Sequence, residues 1–277
     1  TKIGRKQIKK ETGVKKWCKD NNVIFIEIDS LKENNLSYVL EEIENIKPDI
    51  GIVADFSYII PKSIIESLKG QIINVHFSLL PKYRGASPVQ YAILNGDEYT
   101  GVTYYLLSEK MDDGNILSQL EYKIYSRYTS GELYDLLFKF ASENLPDVIK
   151  KYLSGEIKPV TQDHSLATYT YSKTNPKHTF IFKEDALIDW GQPVEKIERS
   201  VRAFNPWPIS WGYLKDLENA KCLYEEIELK DHVDKNLKVK IYKSQVIDGK
   251  LKIDELQVEG KNKLGWKEFK NGYTKTL

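Results

Sequence analysis

Along the first half of the chain, short apolar runs alternate with segments whose apolar residues recur at helical spacing. Residues 15–21 read as a polar helix, and 23–28, rich in β-branched side chains, as a buried strand. Residues 36–46 carry apolar positions at helical spacing, and 50–54 form a short apolar run suited to a strand. Pro61 stands where a helix begins and its missing N–H costs nothing. Residues 72–75 predict a further strand, Ser87-Pro88 a helix cap and first turn leading into 91–94, and 102–107 and 116–124 the last strands of this half. Ser130 and Glu132 open a long amphipathic helix reaching about Leu153. Strands that alternate with helices pair in parallel and are covered on both faces, so the class is α/β with a mostly parallel, Rossmann-like sheet.

The character changes near Lys158. Residues 160–185 are polar, rich in Thr and Lys and without period, and read as a linker. Beyond it, 193–204 predicts a helix, and 211–214, 221–227, 237–247 and 251–258 predict short strands separated by polar turns such as Asp248-Gly249. That spacing suggests a small β-barrel or sandwich. The division expected is 1–160 for the first domain, 161–180 for the linker and 181–277 for a C-terminal β-barrel.

Composition excludes several classes. Charged residues make up 29% and the net charge is +1, so the chain is not a uniformly basic nucleic-acid binder. The basic residues of the first sixteen positions, Lys2, Arg5, Lys6, Lys9, Lys10, Lys15 and Lys16, face one acid, Glu11; a solvated arm and an anion-binding arm explain them equally. Two cysteines, Cys18 and Cys222, make no disulfide framework or zinc spacing, and no metal is expected. No apolar run approaches the roughly 20 residues that span a bilayer, and the first ten residues lack a signal-peptide core. A cytoplasmic protein that acts away from membranes, as a monomer, is expected.

The chemistry concentrates in residues 73–88. A strand delivers Asn74 and His76 to one face near its carboxyl end, where open α/β sheets bind ligands. Alone, such a pair is a weak signal, since a histidine near a strand end is more often a hydrogen-bonded structural residue. The acidic turn Met111-Asp112-Asp113-Gly114 is, by itself, an ordinary turn. Together they supply what acyl transfer needs: a donor for an oxyanion, an imidazole, and a carboxylate from this turn to orient it. No phosphate-cradling loop, nucleophile elbow or zinc-protease helix competes.

The string from Asn74 to Pro88, followed by Gly101-Val102-Thr103 and the turn 111–114, resembles the folate-dependent formyltransferase superfamily. The resemblance implies Asn74, His76 and Asp112 at the reacting centre, Asp112 rather than Asp113 being the matching acid. It implies a tetrahydrofolate-contacting loop at Ser78, Leu79, Leu80 and Pro81, and a pterin-lining loop with Phe56 and Tyr58. Ile188-Asp189-Trp190 and Arg202-Ala203-Phe204-Asn205-Pro206-Trp207-Pro208 are similar to the second domain of the branch that formylates initiator methionyl-tRNA; read from the residues alone, 204–208 is a rigid aromatic turn anchoring the second core. In that branch the loop bearing Arg5, Lys6, Lys9 and Lys10 meets the acceptor stem, the second domain is an OB-like barrel whose lysines face tRNA, and 10-formyltetrahydrofolate is the donor. The resemblance further implies about one βαβ unit, of roughly 30 residues, ahead of Gly4. A sugar amine as acceptor, and a non-catalytic tRNA-binding remnant, are the alternatives.

Overall fold

The computed structural model describes residues 2–3, 8–9, 11–56 and 59–275. β1 (Lys2–Ile3) and β2 (Ile8–Lys9) form a small antiparallel pair. They precede α1 (Gly13–Asp20), α2 (Glu33–Ile46), β3 (Gly51–Ala54), α3 (Lys62–Ser67), β4 (Ile72–His76), α4 (Pro88–Asn95), β5 (Tyr99–Leu106), β6 (Ile116–Lys123) and α5 (Ser130–Leu153). The sheet runs β3-β4-β5-β6.

The α/β class holds, with the parallel pairing confined to β3–β4; β4–β5 and β5–β6 are antiparallel. For β5–β6 the reason lies in the connection. Parallel neighbours need a long crossover, whereas β5 returns into β6 through the short turn that carries Asp112; the connection from β4 to β5 contains α4 and is long enough for either sense. Residues 23–28, expected as a strand, are not one: Ile24 is 91% exposed, and no ladder among the described residues pairs this segment. Their β-branched composition suits a strand, but a strand exists only through a neighbour's hydrogen bonds.

The two faces of β4 serve different purposes. Ile73 and Val75 enter a core with Val102, Tyr104, Leu133 and Leu137, beneath α5. Ile72 packs oppositely, with Leu31 and Ile64. Asn74 and His76 share the Ile72 side and sit at the strand's carboxyl end. α5 starts at Ser130, as expected, with Thr129 as its cap: Thr129 Oγ1 accepts from Glu132 N (3.3 Å) and Glu132 Oε2 accepts from Thr129 N (2.9 Å), a reciprocal pair.

The second unit comprises α6 (Val194–Ala203), β7 (Ser210–Tyr213), α7 (Leu214–Asn219), β8 (Lys238–Ile247), β9 (Lys250–Val258), β10 (Lys263–Gly265) and α8 (Trp266–Tyr273). Its antiparallel sheet, β10-β9-β8-β7, wraps a core of Val239, Ile241, Leu251, Ile253, Leu256 and Phe269. Asp248 and Gly249 both take positive φ in the β8–β9 hairpin, as a tight two-residue turn demands. Residues 221–227 do not form the expected strand; they pair with the sheet at the Leu223–Leu251 bridge and pack Leu223 and Ile227 into its core, leaving α8 to help close the barrel-like unit.

The segment 204–208 does more than brace the second core. The Asn205 carbonyl accepts from Ser130 Oγ (2.8 Å) and Gly131 N (3.1 Å), capping an otherwise orphaned amide of α5, while Asn205 Nδ2 donates to Tyr242 O (3.0 Å) on β8. Trp207 is 53% exposed, so the anchor is the backbone and the asparagine, not the indole. Leu137, fully buried on α5, tests the first core: Leu137→Ala should cost about 2–5 kcal/mol of stability, read as a lower midpoint in urea unfolding.

Candidate active site

The local sequence explains why β4 ends where it does. After His76 the chain enters a loop held by its own hydrogen bonds: Ser78 Oγ donates to Lys82 O, Thr103 Oγ1 donates to Ser78 O (2.6 Å), Leu80 N donates to Thr103 Oγ1 (3.1 Å), and Gln119 Nε2 donates to Leu80 O (2.7 Å). Residues 161–180, expected as a linker, lie along this loop. Tyr83 N donates to Thr168 Oγ1 (2.8 Å), Arg84 N to Thr168 O (2.8 Å) and Thr170 N to Arg84 O (2.9 Å). Gly85 takes φ +116°, and a Cβ there would meet Thr170 Oγ1 at 2.5 Å, so both backbone angle and space require glycine.

That fixed loop orients the imidazole. His76 Nε2 lies 2.9 Å from the Tyr83 carbonyl. A carbonyl only accepts, so Nε2 carries the proton, and in the neutral ring Nδ1 presents a lone pair. Nδ1 lies 3.8 Å from Asp112 Oδ2, close enough for charge interaction and too far for a hydrogen bond. The ring is thus oriented by Tyr83, and Asp112 stands beside it.

Asp112 is held by other groups. Gly85 N donates to its Oδ2 (2.6 Å) and the Tyr105 hydroxyl to its Oδ1 (2.6 Å). The same hydroxyl accepts from Asn74 Nδ2 (2.7 Å). Asp112 takes φ +49°, a conformation that Asp tolerates better than most residues. Gln162 braces the turn from behind: Nε2 donates to Asp112 O (2.9 Å) and Gly114 O (2.8 Å), and Oε1 accepts from Arg84 Nη2 (2.7 Å). Arg84, 3% exposed, also places Nη2 on His164 Nδ1 (2.8 Å) and Nη1 on Tyr169 OH (3.3 Å).

Sequence reasoning named Asn74, His76 and Asp112, and these three side chains converge. It missed Tyr105 and Gln162. Tyr105 pairs directly with Asn74 in the β4–β5 register, a relation hidden until the register is known. Burial, reinforced by the Asp112 carboxylate, pushes its phenol well above the usual range, so the hydroxyl keeps its proton. Gln162 stood within the supposed linker, where nothing in the sequence marked it.

The loop residues divide. Ser78 and Leu80 are buried and build the loop's frame, while Leu79 and Pro81 are partly exposed. Phe56 is 43% exposed just past β3, and Tyr58 lies outside the described residues. So do Arg5, Lys6 and Lys10; for Lys9 only the backbone, in β2, is described. Among the described residues no group of His, Cys, Asp and Glu is arranged to hold a metal ion.

Residues 1–149 match the formyl transferase family and 181–274 match the formyl transferase C-terminal domain. A methionyl-tRNA formyltransferase of Clostridium novyi is 33% identical over 265 residues, which is 94% of this chain and 82% of that relative. The chain belongs to the methionyl-tRNA formyltransferase family. Among solved structures, methionyl-tRNA formyltransferase from Clostridium thermocellum superposes with a TM-score of 0.56 at 20% identity, covering 88% of this chain and 91% of that one. HypX from Aquifex aeolicus, solved with tetrahydrofolic acid, superposes with a TM-score of 0.57 at 19% identity over 87% of this chain and 44% of its own. Both show the fold.

In this formyltransferase the turn that carries Asp112 has one position that admits no side chain. A Cβ on Gly114 would lie 1.8 Å from the Leu106 carbonyl oxygen, and neither backbone can yield without losing the Leu106 N to Asn115 O bond (2.9 Å). Gly114→Ala should therefore open the turn, seen as faster amide exchange at Leu106 while amides of β8 and β9 stay protected.

Proposed function

We propose that this protein transfers the formyl group of 10-formyltetrahydrofolate to the α-amine of initiator methionyl-tRNA. The observation that carries the reading is the meeting of an amide, an imidazole and a carboxylate at the end of β4, with one face of that cluster open to a substrate. Asn74 is only partly buried, and its second amide hydrogen is not used by Tyr105.

In this reading the amine nitrogen attacks the formyl carbon, and the C=O electron pair moves to oxygen, where Asn74 Nδ2–H stabilises it. The proton released by the amine passes to His76 Nδ1, the ring's free lone pair, and the Asp112 carboxylate 3.8 Å away stabilises the imidazolium. Collapse returns the electron pair to the carbonyl, the bond from carbon to N10 of the folate breaks, and N10 takes up the proton that His76 received, leaving the ring neutral. Two acceptors set side by side suit this task, since a proton gained by one is favoured by the charge of the other. The donor's pterin would meet Phe56, Leu79 and Pro81, with buried Ser78 and Leu80 keeping the 78–81 loop in place; Tyr58, which resemblance assigns to the pterin pocket with Phe56, lies outside the described residues. HypX, with its bound tetrahydrofolic acid, supports a folate in this fold.

For the acceptor, the proposal assigns the tRNA to the basic arm with Arg5, Lys6, Lys9 and Lys10 and to one face of the second unit. Lys238 and Lys240 alternate with buried Val239 and Ile241, so both project from the outer face of β8, and Lys238 lies over the Trp211 ring at 4.7 Å. Lys235 is already paired with Glu218 (2.6 Å) and is a poorer candidate. No helix among the described residues is long and apolar enough to cross a membrane; the same reading makes the enzyme a cytoplasmic monomer with no resident metal.

Asn74→Ala and Asp112→Asn should each lower turnover with charged initiator tRNA by about 10²–10³ while leaving unfolding midpoints near wild type. Near-normal turnover in a folded Asp112→Asn protein would reject the mechanism. Replacing Lys238 and Lys240 together by Ala should weaken tRNA binding at every salt concentration tested and flatten the slope of log affinity against log salt by about 1–2 units, as expected for lost phosphate contacts. An unchanged slope would remove this face from the tRNA interface.

A further inference from the structure

A phenolic hydroxyl has one hydrogen to give. At Tyr105 that hydrogen goes to Asp112 Oδ1 (2.6 Å), because an ionised carboxylate can only accept. The contact with Asn74 (2.7 Å) must then run the other way, with the amide as donor. This settles which end of the Asn74 side chain faces the phenol: the NH₂ group, not the oxygen. Without such a partner the amide has two nearly equivalent orientations, and only one of them offers N–H to a developing oxyanion.

The same hydroxyl decides how the carboxylate is presented. With Oδ1 taken by Tyr105, and the Gly85 amide on Oδ2, the carboxylate plane is fixed and Oδ2 is the oxygen turned to His76 Nδ1. The phenol ring is fully buried on β5, in register opposite Asn74, so neither it nor its hydroxyl has freedom to wander. One group thus sets the oxyanion donor and the charge partner of the imidazole at once.

We propose that Tyr105 is a positioning residue for formyl transfer, its hydroxyl locking the Asn74 amide and the Asp112 carboxylate into the orientations that the transition state uses. The proposal rests on the reading of Asn74, His76 and Asp112 given above. Tyr105 touches no reacting atom; it acts through Asn74, which meets the oxyanion, and through Asp112, the charge partner of His76. A preorganised donor costs no reorganisation at the moment of reaction, so its loss falls on turnover rather than on substrate binding.

Tyr105→Phe removes one oxygen and keeps the buried ring. The expected result is a fall in kcat of about tenfold or more, with KM for the folate donor and for charged tRNA within about twofold of wild type. Adding Tyr105→Phe to Asn74→Ala or to Asp112→Asn should cost much less than it does in the wild-type background, since the residue it orients is already gone. A purely structural tyrosine predicts the reverse: a lower unfolding midpoint, and penalties that multiply in both double variants. Wild-type kcat in folded Tyr105→Phe, or multiplying penalties, overturns the proposal. A second measurement needs no variant at position 105: the side-chain amide protons of Asn74, followed by NMR in the wild-type protein, should include one that exchanges slowly. Two freely exchanging protons also overturn it. Full turnover in Asp112→Asn would overturn the parent reading, whereas an inactive Asp112→Asn beside a fully active Tyr105→Phe overturns only the role of Tyr105.

Discussion

A carboxylate taken out of water must find donors, and the Asp112 side chain, 14% exposed, finds them on separate pieces of the chain. The Tyr105 hydroxyl comes from the carboxyl end of β5 and the Gly85 amide from the loop beyond β4. Each donor is itself tied down: Tyr105 by its place in the sheet, Gly85 by a backbone that only glycine fits. Satisfying one buried charge therefore obliges β4, β5 and the acidic turn to hold a single relative arrangement. The site is the by-product of that obligation. Asn74 and His76 need only leave the same face of β4 to arrive beside the carboxylate.

A second buried charge backs the first. Arg84 is nearly inaccessible, and the groups described around its guanidinium are the neutral Gln162, His164 and Tyr169. Such a cation is expensive to bury, and its hydrogen bonds are the compensation. Gln162 spends its oxygen on Arg84 and its nitrogen on the carbonyls of Asp112 and Gly114. The guanidinium thus polarises an amide whose N–H groups grip the Asp112 turn, and the strained φ of Asp112 is sustained from behind as well as from the site.

How much of this the sequence disclosed follows from what kind of information each feature carries. Period-two spacing put Asn74 and His76 on one face, and the helix patterns of α2, α5 and α6 were visible because amphipathicity is local. Asp112 was singled out through resemblance, since turn chemistry alone could not separate it from Asp113. Tyr105 and Gln162 were invisible for a common reason: their roles are set by strand register and by a fold-back of residues 162–170, and both are long-range facts. The overestimates have the same origin. Residues 23–28 and 221–227 have strand composition, yet composition does not supply a neighbour, and the β5–β6 return forced antiparallel pairing that alternation of elements did not foretell.

The fold-back also changes what the second unit can do. Residues 168–170 hydrogen-bond along the loop that aims His76, and the chain then runs on to the second core, whose Asn205 carbonyl caps the first turn of α5. α5 in turn packs Leu133 and Leu137 against the reverse face of β4. A load applied to the second unit, such as a bulky acceptor docking on β8, would reach β4 by two routes: through the loop at Tyr83 and Arg84, and through the helix beneath Ile73 and Val75. The first route begins in backbone hydrogen bonds between residues 83–84 and 168–170, and the second runs from the Asn205–Gly131 bond to the packing of Leu133 and Leu137 on β4. Under the proposed function, an acceptor held by the second unit would be tied through these contacts to the cluster at the end of β4. Proximity of this kind lowers the entropic cost of bringing two substrates together before any chemistry begins.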